Sequence, residues 1–515
     1  MPPDAGVLKG NPYLEIIFRF PCPQKILMVA DGSLNFGAGM FGLSEFVGII
    51  TGAGHAVTTA HRGSGFNFAT ASPAVATANY DQIWLFGFST LALGAPEQTT
   101  IAQFMQNGGG VFATGDHETI GAGMGTSVPR VRGMRNWATI PMTNPSRHDT
   151  VVNPGVDGIK QFDDQADHFP QAIYPVFFSN GGPDNVASTW SVHPVLRHSS
   201  GAVDFLPDHA HESECVAPAP VAGSFAGVEE WPAPIGGGPR IAPQVVAVSI
   251  SAGRFITAHI NKPPVKPRCF GAISAYDGNP AGVGRVVCDA TWHHFVNINL
   301  NGAGGVPDTT GVPREGLYIG GAPTPEYQKI KTYYLNTVRW LAPVGRRYCW
   351  PWLIATLVRF DPEVIELQLP KPHPCPWDLL IRIGLVAEEA LSRYFGHGAL
   401  ADIVEDLLIT ADASLAMRSL LKAQQYTAEE RDHRQDTSLL PVQDMRRAIF
   451  GSLVNLIAQE VPDDEKKLES MLKKGHDDLA PKHITEAVRA AETQIFEFVD
   501  RAIKRSTDLA RSLKK

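Results

Sequence analysis

The densest group of chemically capable side chains in the 515-residue chain is Asp116-His117-Glu118, directly after the apolar run Val111-Phe112-Ala113-Thr114. An imidazole between two carboxylates suits acid–base catalysis, or a divalent transition metal (Zn, Fe or Mn) with one position left open to activate water. The structural alternative has Asp116 and Glu118 capping a following helix, although a cap needs no His between two acids. A second concentration, Asp208-His209-Ala210-His211-Glu212-Ser213-Glu214, places His209 and His211 two apart. On an extended segment they face the same way, as two metal ligands would. Two further apolar runs end in polar residues: Lys25–Ala30 in Asp31-Gly32-Ser33, and Arg285–Cys288 in Asp289, Thr291 and His293. If the second run continues as a regular strand to Asn297, then Asp289, Thr291 and His293 share one face and Cys288, Trp292 and His294 the other. Cys288 and His293 then form no pair.

The candidate catalytic residues are therefore Asp31, Asp116, His117, Glu118, Asp289 and His293, and the candidate metal ligands are His117, Glu118, His209 and His211. Nucleophiles are scarcer. Ser33 and Ser89 follow strands but neither lies in G-x-S-x-G, and Cys215 stands beside Glu212 and Glu214, whose charge disfavours its thiolate. The glycine runs 121–125 and 236–238 lack the Lys-Ser/Thr ending of a phosphate-binding loop.

Positioning these groups requires a sheet. Lys25–Ala30, Ala56–Arg62, Gln82–Gly87 and Val111–Thr114 read as strands, with helices at Leu43–Ile50 and Glu97–Gln106 between them. Such alternation predicts a mostly parallel sheet with right-handed crossovers, whose ligands bind beyond the carboxyl ends of the strands. There the polar ends should converge. Residues 119–244, dense in Gly, Pro, Asn, Asp and His, break the rhythm as a long irregular insertion, an elaboration over the sheet edge or a lid. Strands resume at Val245–Ser251, Gly271–Tyr276 and Arg285–Asn297, and Tyr327–Leu341 closes the domain as an amphipathic helix.

Composition changes near residues 343–350. Residues 1–344 hold 43 of the 49 glycines but 45 of the 96 charged residues, whereas residues 345–515 hold 6 and 51. That contrast separates an α/β domain, 1–344, from an all-α domain, 345–515. In the latter, Ile484, Val488, Ala491, Ile495, Phe498 and Ala502 repeat at steps of four and three, a seam that another helix must cover. The covering helix comes from the same domain or from a second copy, and a homo-oligomer through the C-terminal helices is expected.

The segments KILMVADGS, QIWLFG, GGGVFATGD and GRVVCDATWHH together resemble the class I glutamine amidotransferase-like superfamily, nearest to its ThuA-like (trehalose-utilisation) branch. The matching positions are Gly108-Gly109-Gly110, His117, Gly284-Arg285-Val286 and His293 or His294. The resemblance spans roughly residues 24–342, interrupted by the insertion, and implies a flavodoxin-like fold and a small, polar, carbohydrate-like substrate. One departure matters: amidotransferases carry a nucleophilic Cys at the turn after the glycine-rich strand, where this chain has Thr114-Gly115-Asp116-His117-Glu118. Release of ammonia through a Cys thioester is therefore not expected. Two readings follow. The first is a hydrolase-type enzyme, metal-assisted or not; the second is a non-catalytic scaffold whose helical domain recruits partners.

A net charge of −8 leaves no basic excess to neutralise phosphates, so nucleic acid is not the expected partner. No stretch reads as a membrane span or export signal. Six cysteines without a CxxC pair suggest neither a disulfide framework nor a thiolate zinc site, and a cytoplasmic location fits that pattern.

Overall fold

The computed structural model describes residues 13, 17, 22–116, 119–137, 171–179, 190–207, 214–251, 268–303, 316–346, 349–367, 375–396, 398–411, 413, 417, 442–473 and 479–512. The chain falls into two compact units, one of residues 23–176 and 202–343, the other of residues 2–22, 177–201 and 344–515.

The first unit is built on an eight-stranded sheet. Its strands are β1 (Lys25–Ala30), β2 (Ala56–His61), β3 (Gln82–Phe86), β4 (Gly110–Thr114), β5 (Tyr174–Pro175), β6 (Gln244–Ser251), β7 (Arg268–Tyr276) and β8 (Val286–Asp289), in the spatial order β2-β1-β3-β4-β8-β7-β6-β5. The first five strands in that order pair in parallel, and β7, β6 and β5 extend the sheet as antiparallel neighbours. Strands β3, β4 and β8 are buried at every residue, which is why they read as continuous apolar runs rather than alternating ones.

Helices α1 (Ser44–Gly52), α2 (Ala95–Gln106), α3 (Asn297–Asn301) and α4 (Pro325–Trp340) belong to the same unit. An aromatic cluster ties α1 and α4 to the sheet: Phe46 lies 5.5 Å from Trp84, 5.2 Å from Phe295 and 4.9 Å from Tyr334, and Trp84 stacks on Phe112 at 4.4 Å. Each buried ring of this size contributes a few kcal/mol through apolar area removed from water, roughly 1.5–3 for a Phe-sized side chain.

One expectation fails here. The apolar run from Arg285 does not continue as a strand to Asn297: β8 ends at Asp289, and the chain turns through a 3-10 helix, Trp292–His294, into α3. Thr291 is the N-cap of the 3-10 turn, its hydroxyl accepting from the His293 amide, so the two-residue alternation stops at Asp289.

The second unit is helical: α5 (Cys349–Arg359), α6 (Trp377–Phe395), α7 (Ala399–Thr410), α8 (Val442–Glu460), α9 (Glu465–Lys473) and α10 (Leu479–Ser512), with a short turn of helix at Pro362–Glu366. Helix α8 is its centre, buried from Val442 to Ile457 on nearly every face. It packs against α6 closely enough that a Cβ on Gly384 would lie 2.0 Å from the Arg447 carbonyl oxygen, and one on Gly451 2.3 Å from that of Leu380. The seam of α10 is covered within the unit: Ile484, Val488, Ala491 and Ile495 are buried in its core, and Phe498 packs 5.4 Å from Trp377.

Cys22 and Cys349 form a disulfide with their Cα atoms 5.8 Å apart. The cysteine spacing suggests no disulfide framework, and the other four cysteines remain thiols. Among the described residues, no helix is long and apolar enough to cross a membrane.

Candidate functional site

Strands β4 and β8 run side by side, with Thr114 opposite Asp289, so the turns that follow them leave the sheet together. Arg135 welds the two turns. Its Nη2 donates to the Asp116 carbonyl at 2.8 Å and to the Ala290 carbonyl at 2.7 Å, and its Nε donates to Ala290 at 3.1 Å. The guanidinium lies over Trp137 at 4.5 Å, inside the protein. The Trp292 amide adds a bond to the Gly115 carbonyl at 2.8 Å. The first turn also needs glycine: Gly121 has φ +86°, and a Cβ there would meet the Gly115 Cα at 2.7 Å and the Gly87 carbonyl oxygen at 2.8 Å.

This framework brings three side chains together. The Thr291 hydroxyl donates to Asp116 Oδ1 at 2.9 Å, and His293 Nε2 lies 3.3 Å from Asp116 Oδ2. Asp116 is 1% exposed and His293 17%, so the carboxylate lies beneath an imidazole that reaches the surface. The His293 ring stacks on Trp292 at 4.2 Å, and Phe41, largely exposed, stands edge-on to both at 5.7 and 6.2 Å. The loop that carries Phe41 is held by Asn297, whose Nδ2 donates to the carbonyls of Gly37 and Gly39 while its Oδ1 accepts from the Glu45 amide.

Asp289 serves a second, inner cluster. It is fully buried, accepts from Tyr333 Oη at 2.7 Å and from the Thr291 amide at 3.2 Å, and lies 2.5 Å from His294 Nδ1. The Tyr333 hydroxyl is held well above its ordinary pKa, first by burial and then by the Asp289 charge. Asp289 thus fixes the backbone from which Thr291 and His293 project. It does not share their face, contrary to the strand reading, because the 3-10 turn swings His294 rather than His293 toward it.

Asp31 also bonds backbone amides at a strand end. Its Oδ1 accepts from the amides of Phe88 and Ser89 at 2.6 and 2.8 Å, and its Oδ2 lies 3.5 Å from Arg62, so it ties the end of β1 to the loop after β3. His117, Glu118, His209 and His211 lie outside the described residues. Among the described residues, no three His, Cys, Asp or Glu side chains are grouped to hold a metal ion. Asp116 and His293 make two donors, one short of a three-ligand catalytic site.

Cys215 and Cys288 carry buried thiols. Burial, then the neighbouring Cys288 and Asp289, push the Cys215 thiol well above its usual range, so burial is the first cause that disfavours its thiolate. Burial also raises Cys288. Ser89 uses its hydroxyl to accept the Leu91 amide at 3.0 Å. Arg135, Asn297 and Phe41 were not read from the sequence as parts of the site. Arg135 gave no local signal, whereas the glycine-flanked Phe41 in Gly39-Met40-Phe41-Gly42 marked a constrained loop beside a strand end. No protein-family model matches this chain, and no curated protein matches it.

Proposed function

We propose that the first unit is a hydrolase-type enzyme whose substrate, small, polar and carbohydrate-like, binds over His293 at the carboxyl ends of β4 and β8. The observation that carries the proposal is the Asp116–Thr291–His293 contact: a buried carboxylate, oriented by a hydroxyl, holding an imidazole that reaches solvent. In this arrangement His293 exchanges the proton with water or the leaving group, and Asp116 orients the ring and offsets the positive charge that develops on it. The strand order β2-β1-β3-β4-β8 is the flavodoxin-like order and supports that fold and the amidotransferase-like resemblance. A divalent transition metal would need donors beyond Asp116 and His293, for which His117 and Glu118 are the nearest in sequence. If bound, it would supply an activated water.

Thermal-shift screening against small sugars, polyols and amides, followed by turnover assays on the hits, tests the reading. Wild-type protein should turn over a hit that Asp116→Asn and His293→Ala bind but do not convert. Equal turnover by the variants would refute it, and absence of any hit would favour the scaffold reading. Elemental analysis of unchelated protein decides the metal-assisted form. Assembly as a homo-oligomer would use the surface of α10 outside its covered seam, where Phe496 and Ile503 are exposed. Light scattering of Phe496→Ser/Ile503→Ser against wild type tests it. The cytoplasmic location sits poorly with the Cys22–Cys349 bond, which persists best in an oxidising compartment.

A further inference from the structure

We propose that the helical unit carries a second binding site, a cleft of about 810 Å³ that takes a zwitterionic amino acid with an aliphatic side chain. The volume lies within the range of small-molecule sites, about 300–1,000 Å³. The cleft is bordered by Tyr13, Arg359, Phe360, Val364, Ile365 and Asp463, all within this unit.

Its polar end is a charge pair of unequal burial. The Arg359 side chain, at the end of α5, is 8% exposed, whereas that of Asp463, between α8 and α9, is 82% exposed. Arg359 Nη2 donates to Asp463 Oδ1, and among the described residues this is the guanidinium's one hydrogen bond; Nε is buried without a partner. A guanidinium has five N–H donors, and a planar carboxylate matches them in pairs. Most of its capacity is therefore unused, and its partner is a solvated carboxylate in a pairing of the kind that contributes little.

A simple anion would meet repulsion from Asp463, and a simple cation from Arg359. A molecule carrying both charges satisfies both: its carboxylate replaces that of Asp463 on Arg359, and its ammonium turns to the released Asp463. The apolar end selects the rest of the ligand. The Phe360 ring is already engaged, stacked on Tyr13 at 4.2 Å and covered by the Arg359 guanidinium at 4.3 Å. Ile365, exposed on the short helix Pro362–Glu366 beside the buried Val364, leaves an aliphatic surface there. An aliphatic side chain packs there without displacing either ring. Tyr13 Oη donates to the Asp463 main-chain carbonyl, so the loop that carries the carboxylate is held while its side chain turns.

Calorimetric titration of the full-length protein with three probes tests the site: L-leucine, 4-methylpentanoate, which lacks its ammonium, and 3-methylbutylamine, which lacks its carboxylate. Leucine should bind at least tenfold more tightly than either half-molecule. Asp463→Asn should weaken leucine at least tenfold while leaving 4-methylpentanoate unchanged or tighter, and Arg359→Met should abolish both. The exposed Asp463 keeps the test clear of folding defects that Arg359→Met could introduce. No leucine binding to wild type, equal binding of the three probes, or an Asp463→Asn protein that binds leucine as wild type does would each overturn the proposal.

Discussion

Replacing Thr291 with Val separates the hydroxyl from the shape of the side chain at the point where the two site turns meet. Thr291 is fully buried, and its hydroxyl makes two bonds, donating to the buried Asp116 carboxylate at 2.9 Å and accepting from the His293 amide at 3.1 Å. A hydrogen bond to a charged group is worth about 1.5–3 kcal/mol. Loss of an N-cap hydroxyl costs roughly 0.5–2 kcal/mol. The two losses overlap because Asp116 keeps its contact with His293, so the expected destabilisation is about 2–4 kcal/mol. Valine fills the same volume, and no cavity adds to it. Thr291→Ser retains the hydroxyl and should recover most of the loss. Urea unfolding of the α/β unit measures the total, and amide hydrogen exchange at His293 reads the cap itself, where protection should fall in Thr291→Val and return in Thr291→Ser. A Thr291→Val protein within about 0.5 kcal/mol of wild type, the scatter expected of a neutral substitution, would refute the argument. So would a Ser variant as damaged as the Val variant.

Burial lowers His55 from 6.5 to about 4, and its Nδ1 accepts the Gln24 amide, which requires the neutral ring. The unfolded chain therefore takes up the proton first: this contribution is complete above pH 6.5, is lost as pH falls toward 4, and amounts to at most about 3 kcal/mol; stability–pH curves of wild type and His55→Gln should diverge over that window. Reducing Cys22–Cys349, or replacing both residues with Ser, should lower the stability of the helical unit by about 2–4 kcal/mol, read as a fall in its melting temperature under dithiothreitol. Asn297→Ala removes the ties to Gly37, Gly39 and the Glu45 amide and should loosen the Phe41 loop, seen as faster proteolysis within residues 33–42 while the sheet's unfolding transition is kept.

The strands that build the site were legible because burial on both faces leaves a simple trace: KILMVA, QIWLF and GVFAT are each nearly continuous apolar runs, and each forms a parallel strand. The end of β8 was not. Apolar and aromatic residues continue past Asp289 through Trp292 and Phe295, and periodicity alone does not distinguish a buried strand from a buried 3-10 turn. Yet Asp116 and His293 meet, because a turn capped by Thr291 and pinned by Arg135 aims the imidazole where a regular strand was expected to aim it.

Asp31 and Asp289 show why polar strand ends are ambiguous. Asp31 and Asp289 stand where a catalytic carboxylate would, but a carboxylate at a strand end meets backbone amides and hydroxyls before it meets a ligand. Asp31 spends one oxygen on the amides of Phe88 and Ser89. Asp289 engages both oxygens, with Tyr333 on one and His294 and the Thr291 amide on the other. Asp116 differs because its two oxygens face Thr291 and His293, side chains that reach it only through the fold. Those contacts join residues about 175 positions apart, as the Cys22–Cys349 bond joins residues 327 apart. A chain read locally shows which residues could act. Which of them meet is decided by the pairing of β4 with β8, and that pairing leaves the partly exposed His293, rather than the buried His294, as the imidazole that reaches solvent.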